Sequence, residues 1–157
     1  MPAPTGIPTF GEKQPELSYA ERPCAFGVAA GPDGRILCVR VSRAGQTWTD
    51  LPGGRIETGE TETGALIREF EEETGSTCQP DRLLVRTRQY LVTAKGEPRL
   101  NQSAYYAVET TGPARRDIDP DHRPVWLTPE VAIVELRDEA AALAVMLWMR
   151  RPDASAG

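Results

Sequence analysis

The stretch GRIETGETETGALIREFEEETGS, at residues 54–76, decides both the fold and the chemistry of this chain. At about 100° per residue, a helix from Thr61 to Thr74 would place two different stripes side by side. The first stripe consists of carboxylates, those of Glu69, Glu72 and Glu73. The second is apolar and can dock on a core; it consists of Leu66, Ile67 and Phe70. The segment therefore predicts an amphipathic helix that holds three carboxylates together.

Three clustered glutamates indicate a site for a divalent cation. Like charges at these spacings destabilise an isolated helix by roughly a few tenths of a kcal/mol per pair, and a nearby cation removes the penalty. Mg²⁺ is a hard, oxygen-seeking ion that carboxylates commonly share with substrate phosphates. Gly53 and Gly54 would let backbone approach the ion or the substrate closely. On these residues alone, metal-assisted phosphate chemistry and a solvated acidic face both remain open.

The same stretch is similar to the Nudix box, G-x5-E-x7-R-E-U-x-E-E-x-G-U, in which U is a bulky apolar residue. The matching residues are Gly54, Glu60, Arg68, Glu69, Phe70, Glu72, Glu73 and Gly75. Ser76 departs from the pattern at the last apolar position, which concerns local packing and not the acids. The flanking segments LPGG (51–54) and WLTPE (126–130) also resemble those of Nudix domains. The resemblance implies an α+β fold, a mixed α/β/α sandwich with a mixed β-sheet between helices.

The resemblance also implies the functional residues. The metal ligands would be Glu69, Glu72, Glu73 and the carbonyl of Gly53, with Mg²⁺ as the ion and Mn²⁺ as its substitute. Glu69 could instead be the general base that activates water. Arg68 and Glu60 would complete the catalytic set, as an ion pair that fixes the loop against the helix.

A polar loop before the late tryptophan supplies further candidates. Nudix proteins commonly add an acid from this loop, and Asp119 or Asp121 would be that acid here. His122 stands near the place where a glutamate often occurs, so the base stays open between Glu69 and the loop. Trp48 is the candidate for stacking on a nucleobase, because it lies in the polar segment that leads to the box.

The implied function is a Mg²⁺-dependent hydrolase that cleaves a diphosphate linkage in a nucleoside diphosphate-linked substrate. The first candidate substrate is a nucleoside triphosphate, in ordinary or oxidised form. The alternatives are a hydrolase of a nucleotide sugar or a dinucleotide, and a non-catalytic nucleotide-binding regulatory module. Such a module should have lost the acids of the box, which this chain retains.

Apolar patterns and turn residues outside the box predict a sheet-rich domain. Strands are predicted at Cys24–Ala30, Arg35–Val41, Leu83–Val92, Leu100–Glu109 and Val125–Leu127. Polar loops are predicted at Ser42–Asp50 and Thr110–Arg123. Thr128 and Pro129 fit the first positions of a helix, and Asp138–Arg150 is predicted as the closing helix with Leu143 and Leu147 on its apolar side.

Length and composition suit one ordinary domain, since the 157 residues are 39% hydrophobic and 26% charged. We expect a loose N-terminal arm at 1–22, one domain at 23–151 and a tail at 152–157. No apolar run approaches the ~18 residues that span a bilayer, and the first residues do not resemble a secretory signal, so we expect a cytoplasmic protein without membrane contact.

The net charge and the cysteines narrow the expected partners. A net charge of −5 argues against nucleic-acid binding, which normally needs a basic surface. The expected partner is a small nucleotide, with a homodimer as an option. The three cysteines have no metal-type spacing, and we expect packed free thiols; they are Cys24, Cys38 and Cys78.

Overall fold

The computed structural model describes residues 6–150. The strands are β1 (Thr9–Phe10), β2 (Ala20–Ala29), β3 (Ile36–Arg43), β4 (Gln46–Asp50), β5 (Gly53–Arg55), β6 (Ser76–Val92), β7 (Pro98–Pro113) and β8 (His122–Leu127). The helices are α1 (Glu62–Thr74), α2 (Pro129–Glu135) and α3 (Glu139–Met149). This element content confirms the predicted α+β class.

The strands form two sheets. A five-stranded mixed sheet has the order β1-β6-β7-β2-β5, with β1 parallel to β6 and β2 parallel to β7. A three-stranded antiparallel sheet has the order β4-β3-β8. The predicted mixed sheet is therefore present, and a smaller second sheet stands beside it.

The core lies on both faces of the sheets, between α1 on one side and α2 with α3 on the other. Leu66 and Phe70 of α1 are fully buried against Ala25 and Ala29 of β2. Across the sheet, Val28 of β2 belongs to the cluster that α2 and α3 cover. Because successive side chains of a strand point to opposite faces, β2 contributes to both clusters. The helices thus enclose the sheets, as the sandwich prediction requires.

Local sequence explains where α1 begins and ends. The Thr61 hydroxyl accepts a hydrogen bond from the Gly64 N–H, which caps the first turn. Gly75 adopts a left-handed conformation with φ 72° and donates its N–H to the Glu71 carbonyl, the usual end of a helix. The helix predicted from Thr61 to Thr74 is therefore confirmed.

Two predicted loops are wrong in part. The segment Ser42–Asp50 contains β4, which pairs with β3 as a hairpin, and β7 extends into the segment Thr110–Arg123 as far as Pro113. Both strand segments are mostly polar, so they lack the alternation of apolar and polar residues that marks a strand. The closing helix has Leu143 and Leu147 half-buried, and its buried residues are Ala140, Ala141, Ala144, Val145 and Trp148.

The segment predicted as a loose arm contributes to the five-stranded sheet. Thr9 and Phe10 pair in parallel with Arg88 and Gln89, and β2 begins at Ala20, inside the segment 1–22. Residues 1–5 of the arm and the tail at 152–157 lie outside the described residues. The division of the chain into arm, domain and tail stays a prediction.

The predicted state of the cysteines is confirmed. All three are free and buried, and burial raises the pKa of the Cys38 thiol to about 12. Within residues 6–150, no helix has the length and apolar composition needed to cross a membrane.

Candidate active site

Two glycines allow β5 to lie close to β2 on one side and to α1 on the other. Gly53 has φ 143°, and a Cβ there would lie 2.2 Å from the Ala25 carbonyl oxygen. A Cβ on Gly54 would lie 2.8 Å from the carboxyl carbon of Glu69. Only a residue without a side chain fits at position 53, where the obstacle is backbone, whereas a Cβ at position 54 would displace the Glu69 carboxylate. The Gly53 N–H also donates to Glu73 Oε2 at 3.2 Å, so backbone and acids meet at this point.

Arg68 joins the loop before α1 to the helix. Its Nε and Nη2 donate to the two carboxylate oxygens of Glu60, both at 2.8 Å, and Nη2 also donates to the Arg55 carbonyl at 3.2 Å. The hydrogen bonds that Glu60 accepts from Arg68 and from the Glu57 N–H lower its pKa to about 2. The bidentate geometry fixes orientation as well as charge. The predicted ion pair is therefore present.

The same guanidinium reaches two of the three clustered acids. Arg68 Nη1 donates to Glu69 Oε1 at 3.0 Å and lies 3.4 Å from Glu72 Oε2. Glu72 has a second cation on its other oxygen, since Arg116 Nη1 lies 3.1 Å away. One arginine thus orders the carboxylates along the face of α1.

Glu73 is the most buried of the three acids, with 6% of its surface exposed. Burial raises its pKa well above the ordinary value, although the Gly53 N–H acts in the opposite direction. Burial also raises the pKa of Glu69, and the hydrogen bond from Arg68 opposes that effect. The charged forms of these two acids therefore lack full compensation from the protein.

The loop acids approach the carboxylate face from β8. His122 Nε2 lies 3.6 Å from Glu73 Oε1, and its Nδ1 lies 2.7 Å from Asp121 Oδ1. Asp119 Oδ2 lies 4.0 Å from His122 Nδ1. One ligand atom from each of Asp119, Asp121 and His122 lies within 4.8 Å of the others, so this trio could also hold a metal ion. Asp121, however, already pairs with Arg43, which lowers its pKa.

Most of these groups line a cleft of about 790 Å³ between the two sheets. Trp48 lies on its wall, and its indole N–H donates to Asp50 Oδ2 at 2.9 Å. The guanidinium of Arg137 lies 4.6 Å from the Trp48 ring centroid and also bonds to Asp50 at 3.2 Å. One face of the indole is therefore covered by a cation.

Comparison with known proteins identifies the family. The model of the NUDIX domain matches residues 20–149, which is most of the chain. This chain belongs to the NUDIX family. The matched range contains the box residues, the paired Arg68 and Glu60, and the Gly-Gly entry.

Individual relatives agree with that membership. The chain is 35% identical over 104 residues to a MutT-like protein of Streptomyces ambofaciens, covering 66% of this chain and 62% of that protein. It is 31% identical over 102 residues to an 8-oxo-(d)GTP phosphatase of Mycolicibacterium smegmatis, covering 65% of this chain and 30% of that protein. The chain thus spans less than two thirds of the length of these curated relatives.

A solved NUDIX hydrolase of Nitrosomonas europaea has the same fold. It superposes with a TM-score of 0.72 at 18% identity, over 83% of this chain and 90% of that one. At this identity the likeness concerns the fold alone. It agrees with the mixed sheet and the flanking helices described above.

Most of the predicted site residues meet in the cleft. Those that line it are Trp48, Gly53, Arg68, Glu69, Glu72, Glu73 and Asp119. Glu60 and Asp121 do not line the cleft. Glu60 contacts Arg68, and Asp121 contacts both His122 and Arg43. The sequence did not point to Asp50 or Arg137. No local pattern could have found them, because their contact joins residues 87 positions apart.

Proposed function

We propose that this NUDIX protein is a Mg²⁺-dependent diphosphohydrolase that acts on a nucleoside diphosphate-linked substrate. The observation that carries the proposal is the convergence of Glu69, Glu72 and Glu73 with the Gly53–Gly54 backbone at one end of a cleft large enough for a nucleotide. Acids, close backbone and an open cleft together favour phosphate chemistry over a solvated acidic face.

The donor set fits a hard divalent cation. Glu73 is buried and lies near the charges of Glu69, Asp50 and Asp119, all of which raise its pKa. A cation at this end would supply the positive charge that the protein's own groups do not. We propose Glu72, Glu73 and the Gly53 carbonyl as its holders, with Glu69 as a further holder if the base comes from the loop, since carboxylate and carbonyl oxygens are the donors that Mg²⁺ prefers. Mn²⁺ should substitute for it.

The bound cation would supply charge neutralisation on the phosphate oxygens. Glu69 would take the proton of a water molecule whose oxygen bonds to phosphorus while the bridging P–O bond breaks. Arg68 keeps the Glu69 carboxylate oriented through its hydrogen bond at 3.0 Å. Glu60 holds Arg68 in turn, so both act as positioning residues.

The loop acids would have secondary roles. Asp119 lines the cleft and is anchored by its N–H, which donates to the Glu72 carbonyl at 2.8 Å. We propose that it contacts the substrate. Asp121 is engaged by Arg43 and His122, and it would orient the imidazole beside Glu73.

The first candidate substrate is a nucleoside triphosphate, including an oxidised one. The similarity to the 8-oxo-(d)GTP phosphatase supports this choice, with the limit that the match covers 30% of that protein. Nucleotide sugars and dinucleotides are the alternatives within the same chemistry. A non-catalytic module is disfavoured, because all the acids of the box are in place.

A panel of nucleotides with Mg²⁺ tests the proposal. We expect turnover of at least one triphosphate, with release of either pyrophosphate and a mononucleotide or phosphate and a diphosphate. The control is Glu72→Gln, which should lose turnover while its circular dichroism stays that of the parent. A folded parent that hydrolyses no member of the panel with Mg²⁺ or Mn²⁺ would refute the proposed activity.

The homodimer stays a prediction that light scattering can test.

A further inference from the structure

Three polar side chains form a row across the floor of the cleft, away from the carboxylates. Arg22 of β2 is in register with Asn101 of β7, and Asn101 is in register with Gln89 of β6. All three line the cleft. We call this set, Arg22, Asn101 and Gln89, the polar row.

The polar row continues the buried face of the sheet beyond the helices. Alternation along the strands puts Phe26 of β2 and Tyr105 of β7 on the same face as the row. Phe26 and Tyr105 are in register, stack at 5.2 Å and belong to the cluster covered by α2 and α3. The face is therefore apolar where helices cover it and polar where the cleft opens.

The hydrogen-bonding capacity of the row is not used by the protein. Arg22 Nε and Asn101 Oδ1 are buried and have no hydrogen-bond partner. Within residues 6–150, none of the three side chains forms an ion pair or a side-chain hydrogen bond. Buried polar groups are normally paired, and unpaired ones carry a free-energy cost. An unpaired guanidinium and two amides on one cleft floor are groups that a ligand would complete.

The spacing from the row to the carboxylate end suits a nucleotide. Gly53 is in register with Phe26, four residues along β2 from Arg22. At about 3.3 Å per residue, the two places are about 13 Å apart along the strand. A nucleotide with its diphosphate at the carboxylates can therefore extend its base to the row.

We propose that the polar row is the subsite for a 6-oxopurine base, and this proposal rests on the nucleotide hydrolysis proposed above. A guanidinium only donates hydrogen bonds, so Arg22 requires acceptors. A 6-oxopurine unmodified at position 8 offers O6 and N7 as acceptors on one edge, which is the edge that arginine contacts with two hydrogen bonds. Oxidation at position 8 places a hydrogen on N7 and leaves O6 as the acceptor on this edge. Adenine keeps the N7 acceptor but presents an amino donor at position 6, so it cannot accept the second hydrogen bond.

The side-chain amides of Asn101 and Gln89 suit the rest of the base edge better than Trp48 does. Asn101 and Gln89 each have both a donor and an acceptor, so they can follow the remaining edge of the base. Trp48 is less suited to bind the hydrogen-bonding edge of the base, because its indole N–H already donates to Asp50 and the Arg137 guanidinium covers one face of its ring.

The kinetic test compares two purines that differ at position 6. Guanosine triphosphate has the 6-oxo group, whereas 2-aminopurine riboside triphosphate has the same 2-amino group and lacks the 6-oxo group. We expect Arg22→Ala to lower kcat/KM for guanosine triphosphate roughly 5- to 150-fold, and for the 2-aminopurine analogue by less than about threefold. Arg22→Lys should lose most of the same preference, because lysine keeps the charge without the planar fork.

Matched control substitutions distinguish a loss of base recognition by the polar row from a general loss of folding or activity. Arg123 is an exposed arginine of β8 outside the cleft, and Arg123→Ala should leave both substrates unchanged. Gln102 follows Asn101 in β7 and lies on the opposite face of the strand. Asn101→Ala should therefore lower the ratio of kcat/KM for the 6-oxo substrate to kcat/KM for the 2-aminopurine analogue, and Gln102→Ala should leave that ratio unchanged. Equal losses on both substrates in Arg22→Ala and Asn101→Ala would overturn the base assignment while leaving the proposed hydrolysis standing.

A binding measurement does not depend on catalysis. Inosine monophosphate, added without metal, should shift the side-chain amide resonances of Asn101 and Gln89 in NMR spectra, and adenosine monophosphate should shift them less. If the parent hydrolysed no triphosphate and inosine monophosphate still shifted these resonances, the subsite would stand and the proposed activity would fall. Shifts confined to the Trp48 indole would overturn the subsite.

Discussion

The two ends of the cleft use their polar groups in opposite ways. At the carboxylate end, Arg68 binds Glu60, Glu69 and Glu72, and Glu73 accepts from Gly53. At the polar row, Arg22 Nε and Asn101 Oδ1 have no partner. Groups that must hold a fixed geometry for chemistry are ordered by the protein itself. Groups that select a substrate are left for the substrate to pair.

The largest expected effect is at the carboxylate end of the cleft. Glu69→Gln should lower kcat by about 10²–10⁴-fold with little change in KM, because a general base contributes mainly in the transition state. Steady-state kinetics with the triphosphate found in the panel measures this loss. Asp119→Asn is the comparison, and we expect a smaller loss because Asp119 lies on a loop. A larger loss in Asp119→Asn would place the base in the loop.

Metal binding should be the next largest effect. Mg²⁺ should raise the melting temperature of the parent, since a ligand that binds only the folded state stabilises it. Glu72→Gln should reduce that rise and lower turnover by more than about tenfold. Thermal unfolding in a Mg²⁺ series measures both the shift and its loss. An identical shift in parent and variant would remove Glu72 from the ligand set.

The pair of Arg68 and Glu60 should respond as a unit. Arg68→Ala should lower both the melting temperature and kcat, because it releases the loop and frees the Glu69 carboxylate. The double change with Glu60→Ala should cost less than the sum of the single changes. Denaturant unfolding of the four proteins in this cycle provides the measurement. Strictly additive losses would mean that the two side chains do not interact in solution.

The same pair predicts a dependence on acid. The pKa of Glu60 is lowered from 4.5 to about 2, so its stabilising contribution is complete above pH 4.5 and is lost as the pH falls toward 2. Glu60→Gln should therefore show a flatter decline of unfolding free energy across that window. Glu16→Gln changes an exposed acid and is the control. Parallel curves for the parent and Glu60→Gln would contradict the contact.

The smallest expected effect is a gain, at the unpaired end. Asn101→Leu removes a buried oxygen that has no partner, and we expect the free energy of unfolding to rise by roughly 1 kcal/mol. Gln102→Leu, on the other face of the same strand, should show no such gain. Urea unfolding of both variants measures the difference. A loss of stability in Asn101→Leu would mean that the oxygen is paired in solution.

Local patterns in the sequence were sufficient to predict the helix at the carboxylate end of the cleft. The spacing of Glu69, Glu72 and Glu73, the cap at Thr61 and the glycine at 75 all lie within one helix and its ends, and the structure confirms that helix. The contact of Arg68 with Glu60 spans eight residues of the same box. The helix follows from short-range geometry, whereas the pairing of Arg68 with Glu60 was predicted from the resemblance of this segment to the Nudix box.

The other end depends on how distant strands pair. Arg22 and Asn101 are 79 positions apart in the sequence, and only the parallel register of β2 with β7 makes them neighbours. The strand β4 was predicted as loop because its polar residues hide the alternation that marks a strand. The contact of Arg137 with Trp48 likewise depends on how the loop between α2 and α3 packs. No local propensity specifies these arrangements.

The C-terminal end of α1 also anchors the loop that reaches the cleft from the other side. The carbonyls of Glu72 and Gly75 accept hydrogen bonds from the N–H groups of Asp119 and Ala114, at 2.8 and 2.9 Å. Carbonyls at the end of a helix have no partner within the helix, so they are free to bind another segment. The helix that carries the clustered glutamates therefore also fixes the backbone of Asp119, and a change that frays its last turn should displace both sides of the site together.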